Sequence, residues 1–132
     1  AEGNFNEAID QFLTTLNTAK NQYGAEAQFM VGQIFYQQKQ YQQSLNTLFE
    51  MNENFSAYDE WLGKAFLLIA DNYIALNEIF QAKATVNSII QYSQLDNIKE
   101  DARAKLKQIE KLEAEAPSQE EVNADTTRKG GN

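Results

Sequence analysis

The 132-residue sequence contains no cysteine, no histidine and only one proline. Without cysteine the chain forms no disulfide bond and carries no thiol nucleophile, and without histidine it has no imidazole base and no Cys/His zinc site. The commonest catalytic and metal-binding side chains are therefore missing. We predict that the protein is not an enzyme and that it uses no metal and no cofactor.

Basic residues are also scarce, since 11 lysines and arginines stand against 19 aspartates and glutamates, for a formal net charge of -8. A nucleic-acid surface needs clustered positive charge to displace counterions. The most apolar stretch, Trp61–Leu76, is interrupted by Lys64, Asp71 and Asn72 and is too short for a membrane span. We therefore expect neither a nucleic-acid partner nor direct insertion into a membrane.

Alternating strand patterns are missing as well, and helical patterns take their place. The chain is organised around Asp59–Tyr92, in which two apolar patterns are separated by a break at Asn77 and Glu78. The first pattern is apolar on nearly all sides, as expected of a helix buried between neighbours. The second has one apolar stripe at helical spacing, formed by Ile79, Ala82, Val86, Ile89 and Ile90. This stretch predicts a helical hairpin within an all-α protein.

Further helical patterns surround this hairpin. They cover Asn4–Lys20, Ala25–Gln38, Tyr41 to the residues before Asn54, and Asn97–Ala116. We expect Gly24 to close the first of these helices. Ser56 with Asp59, and Asn97 with Glu100, have the spacing of capping boxes, and they predict the starts of the central hairpin and of the last helix.

The two ends of the chain differ from its middle. Residues 117–132 carry almost no apolar side chain, which predicts a disordered tail behind a helical domain at residues 1–116. The first ten residues do not form a charged and then apolar leader, so either a leader has been removed or the chain is a fragment. The glutamine-rich run Gln37–Gln43 is interpreted as a turn with a solvated outer face, not as an aggregation-prone tract.

The helical patterns also repeat. The later helix of each copy has a large residue near its start, which is Phe5, Tyr41 or Ile79, and a small residue three positions on. Phe5 and Tyr41 are 36 residues apart, and Tyr41 and Ile79 are 38 residues apart. The small residues are Ala8, Ser44 and Ala82, and a large apolar residue follows each of them at Phe12, Leu48 and Val86. In the preceding helices, Val31, Gly32 and Phe35 correspond to Ile69, Ala70 and Tyr73. This pattern resembles the tetratricopeptide repeat over roughly residues 1–112.

The resemblance implies an architecture. Antiparallel helical hairpins would stack as a short right-handed solenoid of about six helices. Ser44 departs from the usual alanine and no proline ends any copy, but Gly32 and Ala70 would still let paired helices approach closely. A less specific resemblance, at Phe80–Thr85, to repeats of long envelope-associated proteins of Gram-negative bacteria implies a location in the periplasm or cell envelope.

The phase of the repeat predicts missing neighbours. In this register Asn4–Lys20 matches the second helix of a hairpin, and Asn97–Ala116 matches a first helix without a second. The charged last helix suits a solvated cap, whereas the apolar first helix does not. We therefore expect the chain to be the C-terminal piece of a longer solenoid.

In the family that the chain resembles, the first helices of the hairpins line a concave surface where ligands lie. Carried onto this chain, the protein-binding groove consists of Phe29, Gln33, Tyr36, Gln37, Lys64, Leu67, Asp71, Ile74, Arg103 and Lys107. Gln33 and Asp71 stand where carboxylate-clamping members have Asn, which argues against a clamp. Tyr36 is expected to be exposed and is the best groove candidate. The alternative is that Phe29, Tyr36, Leu67 and Ile74 only pack between repeats.

The leading functional hypothesis is a non-catalytic protein-interaction module or scaffold that binds a peptide or helix of a larger, multi-protein assembly. A second hypothesis is a structural segment that stacks on further repeats or forms a homo-oligomer through its repeat ends. An enzyme would need a catalytic domain upstream. The acidic pairs Asp59 with Glu60 and Glu50 with Glu53 are interpreted as solvated helix faces and not as acid/base pairs.

Overall fold

The computed structural model describes residues 6–11 and 21–115 of the chain, and this part is helical without any strand. Residues 6–11 are helical, and five helices follow: α1 Gln22–Gln37, α2 Tyr41–Asn54, α3 Asp59–Ala75, α4 Ile79–Tyr92 and α5 Asp96–Glu115. The predicted all-α class is confirmed. The expectations for most of the first helix and for the disordered tail lie outside the described residues.

The central helix α3 is packed on nearly every side, as its sequence predicts. It contacts α1, α2, α4 and α5, and its buried residues belong to both apolar cores of the molecule. The helices α1, α3 and α5 form one row in which each packs on the next, whereas no Cα atom of α2 lies within 8 Å of a Cα atom of α4. Within the described ranges, no helix combines the length and the apolar character that crossing a membrane requires.

The two hairpins, α1 with α2 and α3 with α4, turn in the same way. Lys39 and Asn77, which are 38 residues apart, both have a left-handed backbone, with φ of 63° and 59°. In each turn the N–H of this residue donates to the carbonyl three positions earlier, and the next N–H donates to the carbonyl five positions earlier, at 2.8 to 3.0 Å. This pairing is the Schellman motif that ends many helices. The predicted break at Asn77 and Glu78 is confirmed, and the glutamine-rich run contains the matching turn.

A small residue brings the helices of the first hairpin close together. A Cβ atom added to Gly32 would lie 2.6 Å from Leu48 Cδ2, so no side chain fits there without moving Leu48. Leu48 is 1% exposed and has little room to move. At the equivalent positions of the second hairpin, Ala70 and Val86 are both completely buried. The predicted close approach is confirmed at Gly32, and the small residues of the second hairpin, Ala70 and Ala82, are buried as that prediction requires.

A buried polar link joins the first hairpin to α3. Ser44 Oγ donates to the Gly32 carbonyl at 2.7 Å, and Asn72 Nδ2 donates to Ser44 Oγ at 2.9 Å and to the Leu68 carbonyl at 3.0 Å. Ser44 and Asn72 are both completely buried. The serine that departs from the repeat pattern therefore has a partner, because a buried hydroxyl needs one.

The expectation that Gly24 closes a helix is wrong. Helix α1 begins at Gln22, and Gly24 is buried in its first turn. Asn21 caps this helix, since its side-chain oxygen accepts hydrogen bonds from the N–H groups of Tyr23 at 3.0 Å and Gly24 at 3.3 Å. The cap supplies partners for N–H groups that have none inside the first turn, and it therefore fixes the start of α1.

The predicted capping box of Ser56 and Asp59 is also wrong. Tyr58 occupies the cap position of α3 and no side chain caps this helix. The Tyr58 N–H donates to the Phe55 carbonyl at 3.0 Å, and the two rings lie 6.1 Å apart with Phe55 almost fully buried. Burial of Phe55 and its contact with Tyr58 therefore fix the entry into α3.

The second capping box, at Asn97 and Glu100, is wrong for a similar reason. Helix α5 begins at Asp96, so Asn97 already lies inside its first turn. Ser93 Oγ accepts a hydrogen bond from the Leu95 N–H at 3.2 Å, just before the helix. Local bonding at Ser93 thus replaces the expected cap.

Candidate protein-binding groove

One open depression crosses the row of helices α1, α3 and α5, and its volume is about 440 Å³. We call it the α1/α3/α5 groove. It is lined by Phe29 and Gln33 of α1, by Lys64, Leu67, Leu68 and Asp71 of α3, and by Asp101, Ala104, Lys105 and Gln108 of α5. Every lining residue of α5 lies 37 residues after a lining residue of α3. The groove is therefore built from equivalent positions of successive helices.

Half of the residues assigned to a binding groove from the sequence lie together in this depression. They are Phe29, Gln33, Lys64, Leu67 and Asp71. Arg103 and Lys107 are exposed on α5 but do not line the depression, whose α5 wall is formed by Asp101, Ala104, Lys105 and Gln108. Tyr36, Gln37 and Ile74 also lie outside it. The role of all ten residues in binding stays a prediction.

Tyr36 is less accessible than expected. Its side chain is half-buried, and its ring lies 5.6 Å from that of Tyr41 in an edge-to-face arrangement. Burial, followed by the negative charge of Asp71 and by Tyr41, raises the pKa of Tyr36 above its ordinary value of 10.0. The expectation that Tyr36 is exposed is wrong, because the turn after α1 brings Tyr41 back against it.

Asp71 is already paired within the protein. Lys105 Nζ lies 2.8 Å from Asp71 Oδ1, and the side chains of Lys105 and Asp71 are only 22% and 27% exposed. The pair connects α3 to α5 across the floor of the groove. A bound segment would therefore meet a neutralised carboxylate instead of an isolated negative charge.

Aromatic rings support the other end of the groove. The rings of Phe29 and Trp61 lie 5.8 Å apart, so α1 and α3 are in direct aromatic contact. Lys64 Nζ lies 4.4 Å from the centre of the Trp61 ring and 3.5 Å from a Glu60 carboxylate oxygen. These contacts favour a position of the Lys64 ammonium group over the ring. The groove thus has a cation at one edge and apolar side chains beside it.

The acidic pairs considered as catalytic candidates are solvated. Glu50, Glu53, Asp59 and Glu60 all have exposed side chains. Among the described residues, no group of three or more His, Cys, Asp or Glu side chains could hold a metal ion.

A second cavity, of about 500 Å³, was missed by sequence reasoning. It lies between α2 and α4 on the opposite face of α3, and we call it the α2/α4 cleft. Its lining residues are Phe49, Asp59, Leu62, Gly63, Phe66, Ile69, Tyr73, Ala84, Thr85, Ser88, Ile89, Tyr92, Ser93, Gln94 and Ile98. Phe49 is 43% exposed and Tyr92 is 71% exposed. The sequence signal for this cleft was the position of Phe49 and Tyr92, since neither belongs to the buried stripe of its helix.

Comparisons with protein-family models, with curated proteins and with solved structures found no match for this chain. The two cavities are therefore interpreted from their own geometry. The α1/α3/α5 groove combines apolar, amide and paired charged side chains, whereas the α2/α4 cleft is mainly apolar with a single charged lining residue.

Proposed function

We propose that the protein is a non-catalytic interaction module of the tetratricopeptide type, in which the α1/α3/α5 groove is a concave surface that binds a peptide or helix from a larger assembly. The observation that carries this proposal is the repetition of lining positions on the helices α1, α3 and α5, which alternate with α2 and α4 along the chain. A surface built from equivalent positions continues from one helix to the next, and it suits an elongated ligand better than a compact one.

The chemistry of the groove supports a polypeptide ligand. The half-buried Phe29 offers apolar surface, with the buried Leu67 beneath the groove, while Gln33 and Gln108 offer amide groups that both donate and accept hydrogen bonds. A peptide backbone presents the same two kinds of group, so the amides suit it without any net charge. Lys64 adds one cation at the edge.

This proposal is tested with peptides selected from a displayed random library on the whole protein. The substitutions Gln33→Ala and Gln108→Ala together should weaken peptide binding by at least about 1 kcal/mol, the level that marks a meaningful interface residue. Helical content by circular dichroism should stay unchanged, because both side chains lie on a surface. Isothermal titration calorimetry gives the affinities.

The matched control replaces two glutamines outside the groove, Gln43 on α2 and Gln91 on α4, both of which are exposed. Gln43→Ala with Gln91→Ala should leave the affinity unchanged. If the groove variant binds every selected peptide as tightly as the parent, or if the control variant is equally weakened, the binding surface lies elsewhere.

A further inference from the structure

The α2/α4 cleft lies where α2 and α4 diverge, with no Cα atom of one helix within 8 Å of a Cα atom of the other. The gap between them is floored by α3, which contributes Leu62, Phe66, Ile69 and Tyr73. None of the described lysines and arginines lines the cleft, and its polar lining is confined mostly to hydroxyl and amide groups of α4 and the segment after it. An apolar cavity of this size that is open to water favours occupation by an apolar group.

The rim of the cleft indicates an occupant larger than the cavity itself. Phe49 and Tyr92 line the cleft, but large parts of both rings face solvent, with 43% and 71% of these residues exposed. A small molecule enclosed in the cleft would leave those ring surfaces uncovered. A polypeptide segment with one side chain in the cleft would also cover the rim, as aromatic residues commonly are covered in protein interfaces.

Two acidic residues, Asp59 and Glu53, stand at the α2 and α3 side of the cleft. Asp59 is its only charged lining residue, and it makes no ion pair with any residue of the described ranges. Glu53 lies one helical turn after Phe49 on the same face of α2 and is exposed. With a formal net charge of -8 over the whole chain, this surface attracts lysine and arginine.

We propose that the α2/α4 cleft is a second docking site, for a partner-protein segment that inserts one bulky apolar side chain and places a lysine or arginine next to it against Asp59. A second copy of this chain is a poor occupant, since its own strong negative charge opposes the approach. Among the described residues its most exposed aromatic side chain is Phe80, at 80%, but Glu78 lies nearby in the sequence and the neighbouring Lys83 is already paired with Glu113 at 3.0 Å.

The test selects peptides from a displayed random library on the whole protein. Peptides that also bind the variant Ser88→Trp are discarded. Ser88 is exposed and lines the cleft, so a tryptophan there fills the cleft without disturbing a core. The retained peptides should share a bulky apolar residue beside a lysine or arginine. Their binding, measured by fluorescence anisotropy, should be about tenfold weaker or worse for Ser88→Trp. Ala84→Trp, at another exposed lining position, should have the same effect and serves if Ser88→Trp folds poorly.

The charge requirement has its own matched pair. Asp59→Asn should weaken these peptides by up to about fivefold at low salt, while Asp101→Asn in the other groove should not. The proposal is overturned if no peptide is retained, if the retained peptides lack basic residues, or if only a small apolar dye is displaced by the tryptophan variants. Retained peptides should bind the variant with Gln33→Ala and Gln108→Ala as tightly as the parent. A failure of the cleft proposal is thereby distinguished from a failure of the α1/α3/α5 groove proposal.

Discussion

At the scale of single residues, the two hairpins distribute the same volume differently. The first places Gly32 against Leu48, and the second has Ala70 and Val86 at the equivalent positions. Alanine has one carbon more than glycine, and valine has one fewer than leucine. The total volume at the crossing of the two helices is therefore kept, as close packing requires.

Gly32→Ala alone should be destabilising. The added methyl group would overlap Leu48 at 2.6 Å, and overpacking of a core typically costs about 1–3 kcal/mol, of which the better helix propensity of alanine returns at most about 1 kcal/mol. Adding Leu48→Val should recover most of the loss, because it reproduces the pair found in the second hairpin. Urea denaturation measures the free energies of unfolding. Losses that simply add in the double variant would contradict this interpretation.

The sequence predicted the small residues at this crossing, but it did not predict the polar link beside them. Ser44 was recognised as a departure from the pattern, and Asn72 only as an interruption of an apolar helix. Their hydrogen bond joins residues that are 28 positions apart. Such a pair depends on how two helices are rotated against each other, and no local pattern records that rotation.

At the scale of the helix, α5 shows where the repeat alignment no longer predicts which residues line the groove. Ile98, Ala102 and Ile109 are fully buried and fix which face of α5 turns inward. Each residue turns an α-helix by about 100°, so an alignment error of one or two residues selects a different face. The sequence assigned Arg103 and Lys107 to the groove, but the buried stripe places Ala104 and Lys105 there. On α1 and α3, which keep the repeat pattern more closely, five of the eight assigned residues line the groove, whereas Tyr36, Gln37 and Ile74 do not.

The docking of α5 can be tested through its ion pair with α3. Lys105→Met should lower the free energy of unfolding by roughly 0.5–1 kcal/mol, since it leaves the partly buried Asp71 without its cation while keeping an apolar side chain of similar length. High salt should reduce the difference. Lys107→Met, on the exposed face of the same helix, is the control and should be neutral within error in thermal unfolding. Equal losses for the two variants would contradict the observed rotation of α5.

At the scale of the whole molecule, the outward face of α5 is charged and wet. Its exposed residues include Glu100, Arg103, Lys107, Glu110 and Lys111. A surface of this composition does not bury itself against another helix without a large desolvation cost. Among the described residues, the outward face of α5 therefore offers the self-stacking alternative no exposed large apolar side chain.

Light scattering over a range of concentrations separates self-association from groove binding. We expect the mass to stay near the 15.0 kDa of one chain, because the strong net negative charge and the charged face of α5 both oppose association. Replacing Arg103 and Lys107 by leucine should raise the mass at high concentration by creating an apolar patch on that face. A mass of the parent chain that increases with concentration would favour the structural role instead.

The link between Ser44 and Asn72 also determines which neighbour each hairpin accepts. At the equivalent positions on α4 and α5, the residues are Ala82 and Ile109, which are apolar and fully buried. If the array slipped by one unit, a hydroxyl would face a hydrocarbon, and an amide would face a methyl group. Each stranded polar group would cost about 1–3 kcal/mol. The two junctions therefore differ in packing chemistry, one polar and one apolar. This difference allows helices of similar sequence to pack together in only one order.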